Sequence, residues 1–248
     1  MIFEKDKKYM ENIIKRYLND EDKKLLCKEF NLSERKFDKI IYEYESNPLS
    51  ISIIRDLVTI ENELKQEFSS IEGADFVDNV LIHSSTVVNL AKYILRDGYI
   101  TYNRKQHPIS HMTYAMVLFV CDTHDLYKMK SANLDLYNHG EIIAMHIKEK
   151  LEERNVPKVY INTIFDAIKH HSDKKNISYN NIVGQLLKEC DMLSKLTISY
   201  PILHMPQNKS LKETYNILKE KSKQKVNPNT FFTEEGLSLY RKLKYTLI

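Results

Sequence analysis

The chain has 248 residues, 42% hydrophobic and 29% charged, with a formal net charge of +3. That length allows one large domain or a domain with a smaller appendage, and it suffices for a substantial core. Gly (5) and Pro (6) are few while Leu, Ile, Lys, Glu and Tyr abound, which argues against a strand-rich fold and predicts an all-α protein.

Three widely spaced cysteines, Cys27, Cys121 and Cys190, form no Cys-x-x-Cys pair. Neither a disulfide framework nor a thiolate zinc site is indicated, and a reducing, intracellular setting is expected. The start, Met-Ile-Phe-Glu-Lys-Asp-Lys-Lys, is charged rather than signal-like, and no apolar run approaches the roughly 20 residues that span a bilayer. The expectation is a soluble, cytoplasmic protein with no membrane contact. Residues 1–70 sum to −2, 71–203 to 0 and 204–248 to +5, so only the last stretch is basic enough to favour an anionic partner.

Residues 4–18 place Tyr9, Ile13, Ile14 and Tyr17 at helical spacing, and Glu21-Asp22 opens a second helix through Leu25, Leu26 and Phe30. After a turn with a Ser33 cap, a third helix carries Phe37, Ile40, Ile41 and Tyr44. The spacing is helix-turn-helix-like, but any small three-helix unit produces it. Glu34, Asp38, Glu43 and Glu45 largely cancel Arg35, Lys36 and Lys39, so packing or homodimerisation is expected ahead of DNA reading. Residues 1–70 are accordingly read as an N-terminal helical appendage, 71–203 as the core and 204–248 as a basic helical tail.

Asn47-Pro48 breaks the chain, and Ile51 to about Phe68 predicts another amphipathic helix. From Phe76 a helix carries Val80, His83, Val87, Leu90 and Ile94, which puts His83 on the apolar face. Residues 97–108 read as a loop. Its Arg104, Lys105 and His107 are of the kind that holds a phosphate, since a guanidinium forks onto phosphate oxygens, and a solvated surface loop accounts for the same residues.

The next helix is apolar nearly all round from Tyr114 to Cys121, which marks it as central and buried. It ends in adjacent His124 and Asp125. An imidazole beside a carboxylate at the end of a buried run is costly unless a cation or hydrogen bonds satisfy both. Downstream, His139 heads a helix continued by Ile143, Ile147 and Leu151. A further helix aligns Ile164, Ile168 and His171, with His170 about 100° away. Helical geometry therefore prefers His171 as a ligand and leaves His170 to a supporting or substrate-binding role. Asp191 sits in an inward-facing row of a helix over 182–196, where an unpaired carboxylate would be expensive. From Thr197 the chain holds a Lys cluster at 219–225 and a short helix from Glu234.

His83, His124-Asp125, His139, His171 and Asp191 supply imidazole and carboxylate donors suited to divalent Mn, Fe, Co, Ni or Zn. Taken singly, each histidine is better explained by a backbone hydrogen bond in the core, but all six groups fall at helix ends or on inward-facing stripes. In this order they resemble the HD-domain metal-dependent phosphohydrolase superfamily, over roughly residues 76–196. His83 matches the first ligand, His124-Asp125 the name-giving pair and Asp191 the last carboxylate. His139 and His171 look like the two added histidines of members that hold two metals. Lys128 matches a Lys often found after the pair. Cys121-Asp122-Thr123 and Leu126-Tyr127 depart from the usual neighbours.

The resemblance implies an all-helical HD bundle, with two divalent ions among Mn, Fe, Co, Ni or Mg. It implies metal-assisted hydrolysis of a phosphoester or phosphoanhydride: Asp125 would bridge the ions, His83, His124 and Asp191 hold one, and His139 and His171 the other. A water of lowered pKa would attack phosphorus while Lys128 stabilises developing charge. The favoured substrate is a small nucleotide, cyclic and dinucleotide forms included. A nuclease acting on single-stranded nucleic acid and a non-catalytic metal-containing regulator are the alternatives.

Overall fold

The computed structural model describes residues 48–70, 77–130, 138–172, 181–197 and 226–246, with a few positions between 24 and 35 and at 210 and 212. The helices expected over 4–18 and across 37–44, and the Lys cluster at 219–225, lie outside the described residues; of the helix expected from Glu21 to Phe30, Lys24, Cys27 and Lys28 are described and are helical. The described fold is predominantly helical.

Helix α1 (Pro48–Ser69) starts at its proline, where the missing N–H would have found no helical partner anyway. Its row Ile53, Leu57, Ile60, Leu64 and Phe68 is buried, at the three- and four-residue steps that make one helical face. Helix α2 (Val77–Ile94) buries Val80, His83, Val87, Leu90 and Ile94. Helix α3 (His111–Thr123) begins at Ser110, whose hydroxyl accepts from Thr113 N–H at 3.0 Å, and passes into a 3₁₀ turn over Leu126–Lys130. Helix α4 (His139–Glu153), α5 (Lys158–Lys169) and α6 (Ile182–Ser194) follow. Asn181 fixes the start of α6 from both sides: its Oδ1 accepts from Gly184 N–H at 3.0 Å and its Nδ2 donates to Thr163 O at 2.8 Å.

Helix α3 is central, packed by α1, α2, α5 and α6, while α4 pairs with α5 and α2 with α6. Burial on all sides explains why α3 carries little polarity before its C-terminal end. No described helix is long and apolar enough to cross a membrane.

One expectation is corrected. Residues 97–108 are not a loop but carry a hairpin: β1 (Tyr99–Tyr102) pairs antiparallel with β2 (Lys105–Pro108), Ile100 opposite His107 and Tyr102 opposite Lys105. The two residues between the strands, Asn103 (φ 49°) and Arg104 (φ 62°), both occupy the left-handed region that a two-residue type I′ turn requires. The usual Asn-Gly signal is absent because Arg stands in the glycine's place, which hides the hairpin. Buried Ile100 anchors the strand.

A last helix, α7 (Glu234–Thr246), docks on α6 and β1. Thr101 donates to Glu235 from its backbone N–H at 2.9 Å and its hydroxyl at 2.7 Å. Glu189 of α6 accepts from Thr233 N–H at 3.2 Å and from its hydroxyl at 3.0 Å. Burial pushes the Glu189 carboxyl up to about 8 against the pull of those donors.

Candidate metal centre

Five helices deliver six side chains to one buried place. Helix α2 contributes His83 from the middle of its apolar face. The C-terminal end of α3 contributes His124, still helical at φ −57° and ψ −29°, and Asp125, the last residue before the 3₁₀ turn. The first residue of α4 is His139, His171 follows the end of α5, and Asp191 projects from α6.

Asp125 is the pivot. Its Oδ2 lies 3.4 Å from His83 Nε2 and 3.6 Å from His124 Nε2. Its Oδ1 lies 3.3 Å from His139 Nε2 and 3.5 Å from His171 Nε2, and those two nitrogens are 3.2 Å apart. Each oxygen thus faces its own pair of imidazoles. Donors sharing a cation at about 2.0–2.2 Å stand roughly 3–3.6 Å from one another, the range found here. Within each set, His83–His124–Asp125 and Asp125–His139–His171, the ligand atoms all lie within 4.8 Å of one another. Asp191 falls in neither triple but reaches the first through His83, with Oδ1 3.3 Å from Nε2.

Ring orientation is set from behind. His124 Nδ1 lies 3.0 Å from Cys121 O and His171 Nδ1 lies 2.6 Å from Ile168 O. A carbonyl only accepts, so in both rings Nδ1 carries the proton and Nε2 turns its lone pair on the cluster. This is the arrangement in which an imidazole ligates metal. His83 Nε2, His124 Nε2 and Asp125 Oδ1 are buried without a hydrogen-bond partner. Each such group costs roughly 1–3 kcal/mol if left so. Divalent cations satisfy all of them at once, so the donor set fits the metals that imidazole and carboxylate suit.

The electrostatics agree with ligation. Burial above all drives the His124 imidazole down to about 3, so the ring is neutral. Burial works against ionisation of Asp125 too, but the Lys128 ammonium beside it outweighs burial and holds the carboxyl well below the usual range. Asp191 likewise stays ionised against burial through Lys195 and His83.

Lys128, which the sequence singles out, sits 2.6 Å from Asp125 Oδ2. His170 caps α5, half-buried and outside both triples. Arg104 and Lys105 are exposed at the hairpin turn, and no ion pair among the described residues joins either to the cluster.

Three participants carry no obvious sequence signal or went unread. Lys195, four residues after Asp191 on the same helical face, places its ammonium 3.2 Å from Asp191 Oδ2, and the spacing alone could have flagged it. Gly140 lets α4 close on α5: a Cβ there would stand 3.0 Å from Ile168 O and 3.2 Å from the His171 ring. Asp122, beside the His-Asp pair, binds Lys65 of α1, which also holds Glu61 at 3.0 Å. That link spans 57 residues and has no local signature.

No family model, no curated protein and no solved structure matches the chain. The site's chemistry therefore rests on its own geometry: a helical protein whose buried His/Asp clusters can hold metal.

Proposed function

We propose that the chain is a metal-dependent phosphohydrolase of the HD type, cleaving a phosphoester or phosphoanhydride of a small nucleotide. The observation that carries this reading is the division of the Asp125 carboxylate, one oxygen toward His83 and His124 and the other toward His139 and His171. A single cation needs one such triple, and two triples sharing a carboxylate hold a pair. Bound there, paired divalent cations supply Lewis acidity and a nucleophilic water at neutral pH.

The chain's own residues do the rest. Asp125 would serve both positions, with His83, His124 and Asp191 holding one ion and His139 and His171 the other. Lys128 and Lys195 flank the site: their side chains keep 22% and 29% exposure, whereas Asp125 keeps 2%. Two partly exposed ammonium groups beside a buried carboxylate-imidazole site favour a substrate that carries several negative oxygens. Lys128 would stabilise charge developing on a departing or equatorial oxygen.

The test is hydrolysis by protein reconstituted with Mn or Fe, against mononucleotides, cyclic nucleotides, dinucleotides and single-stranded oligonucleotides. Release of phosphate or mononucleotide from the small substrates is expected, and it should vanish on chelation and in Asp125→Ala. Turnover confined to oligonucleotides would replace this reading with a nuclease. Metal binding without turnover of any substrate would replace it with a regulator.

A further inference from the structure

Helix α6 is held from two opposite sides. Asp191 points from its inner face to His83. Glu189, two residues earlier and therefore about 200° around the helix, points outward into the start of α7. There its carboxyl receives Thr233 N–H at 3.2 Å, with the Thr233 hydroxyl 3.0 Å from each of its oxygens. The same hydroxyl accepts from Gly236 N–H at 2.9 Å, so one threonine caps α7 and fastens it to α6. The fit leaves no slack, because a Cβ on Gly236 would fall 1.9 Å from Glu189 Oε1. Glu235 fixes the far side of the joint to Thr101 of the hairpin. Glu189 and Thr233 are both almost fully buried. A surface tail needs no such joint.

We infer that the C-terminal segment is a clasp that positions the metal centre: Glu189 and Thr233 set the rotation and depth of α6, and thereby the distance of Asp191 from His83. The proposal rests on the metal-centre reading above. It makes Glu189, Thr233 and Gly236 positioning residues for the cation held by His83, His124 and Asp191, and for that cation alone. The His139–His171 position is built from α4 and α5, neither of which carries a residue of the Glu189–Thr233–Gly236 joint.

The asymmetry gives the test. Mn binding is titrated in full-length protein by the paramagnetic signal of free Mn, in a His139→Ala background that leaves the first position and a His83→Ala background that leaves the second. Thr233→Val keeps the side-chain volume and removes the hydroxyl. It should weaken Mn at the first position by about tenfold or more, the usual size of an outer positioning effect, and leave the second unchanged. Thr233→Ser should restore binding. Gly236→Ala should reproduce the Val result, and if that protein does not fold, Thr233→Val against Thr233→Ser decides alone. Equal weakening at both positions, or none at either, would overturn the clasp while leaving the metal centre standing. Absence of Mn binding in the unsubstituted protein would overturn the metal centre, and the clasp with it.

Discussion

The ammonium of Lys128 lies 2.6 Å from Asp125 Oδ2, the same oxygen that faces His83 and His124. Without a metal, Lys128 is thus the strongest cationic partner of the pivotal carboxylate. With one, lysine and metal compete for that oxygen, and the ammonium is free to turn to substrate. Lys128→Met should therefore bind Mn at least as tightly as the unsubstituted protein while kcat falls on the order of a hundredfold, the scale seen when a group that stabilises transition-state charge is removed. Loss of metal in step with loss of activity would make Lys128 a structural support instead.

The adjacent histidines separate the two readings of the pair at the end of α5. His171 Nδ1 is fixed to Ile168 O and its Nε2 faces Asp125, whereas His170 lies outside both donor triples. His171→Ala should lose the second cation in a metal-loss titration under chelator. His170→Ala should retain it. The reverse ranking would show that the α5 terminus turns the other imidazole inward.

Gly140→Ala should act on the same position without removing any ligand. A Cβ at 3.0 Å from Ile168 O and 3.2 Å from the His171 ring requires that carbonyl and that ring to give by a few tenths of an ångström, which disturbs the His139–His171 pair. Overpacking of this kind costs about 1–3 kcal/mol, and the metal stoichiometry should drop by one. Unchanged stability and stoichiometry would mean that the two helices yield at no cost.

A pH dependence follows from Glu61. Burial first, then the hydrogen bond and charge of Asp122, push its carboxyl up to about 7, and Lys65 only partly offsets them. In the unfolded chain the group ionises near the ordinary value of about 4.3. The folded state therefore binds the proton more tightly, so this contribution to stability is fully present below about 4.3 and is lost as pH rises through about 7. Thermal unfolding of Glu61→Gln and the unsubstituted protein across that window should show the variant gaining relative stability as pH rises. Parallel profiles would contradict the shift.

Much of this was legible in the residues themselves. The rows through His83 and Asp191 follow from helical periodicity, and burial of α3 follows from its unbroken apolar run; the row Ile164, Ile168, His171 picked the right imidazole although His171 lies just past the end of α5. The two donor triples collect His83, His124, Asp125, His139 and His171, with Asp191 touching His83. The hairpin at 99–108 was not legible, because Asn103-Arg104 forms a turn that normally advertises itself with glycine. Long-range partners were not legible either. Lys65 meets Asp122, and Thr233 meets Glu189 across 44 residues, and nothing in the local pattern of either residue names its partner. Helix α1 buries its row in the same core as α3.

The central claim is that Asp125 serves two cations at once, and metal stoichiometry tests it most directly. Elemental analysis after reconstitution with Mn should give close to two ions per chain, about one in His139→Ala and about one in His83→Ala. Asp125→Ala should hold none, because each triple loses its shared carboxylate. A single ion in the unsubstituted protein, undiminished by His139→Ala, would contradict the bridged pair and reduce the site to His83, His124, Asp125 and Asp191.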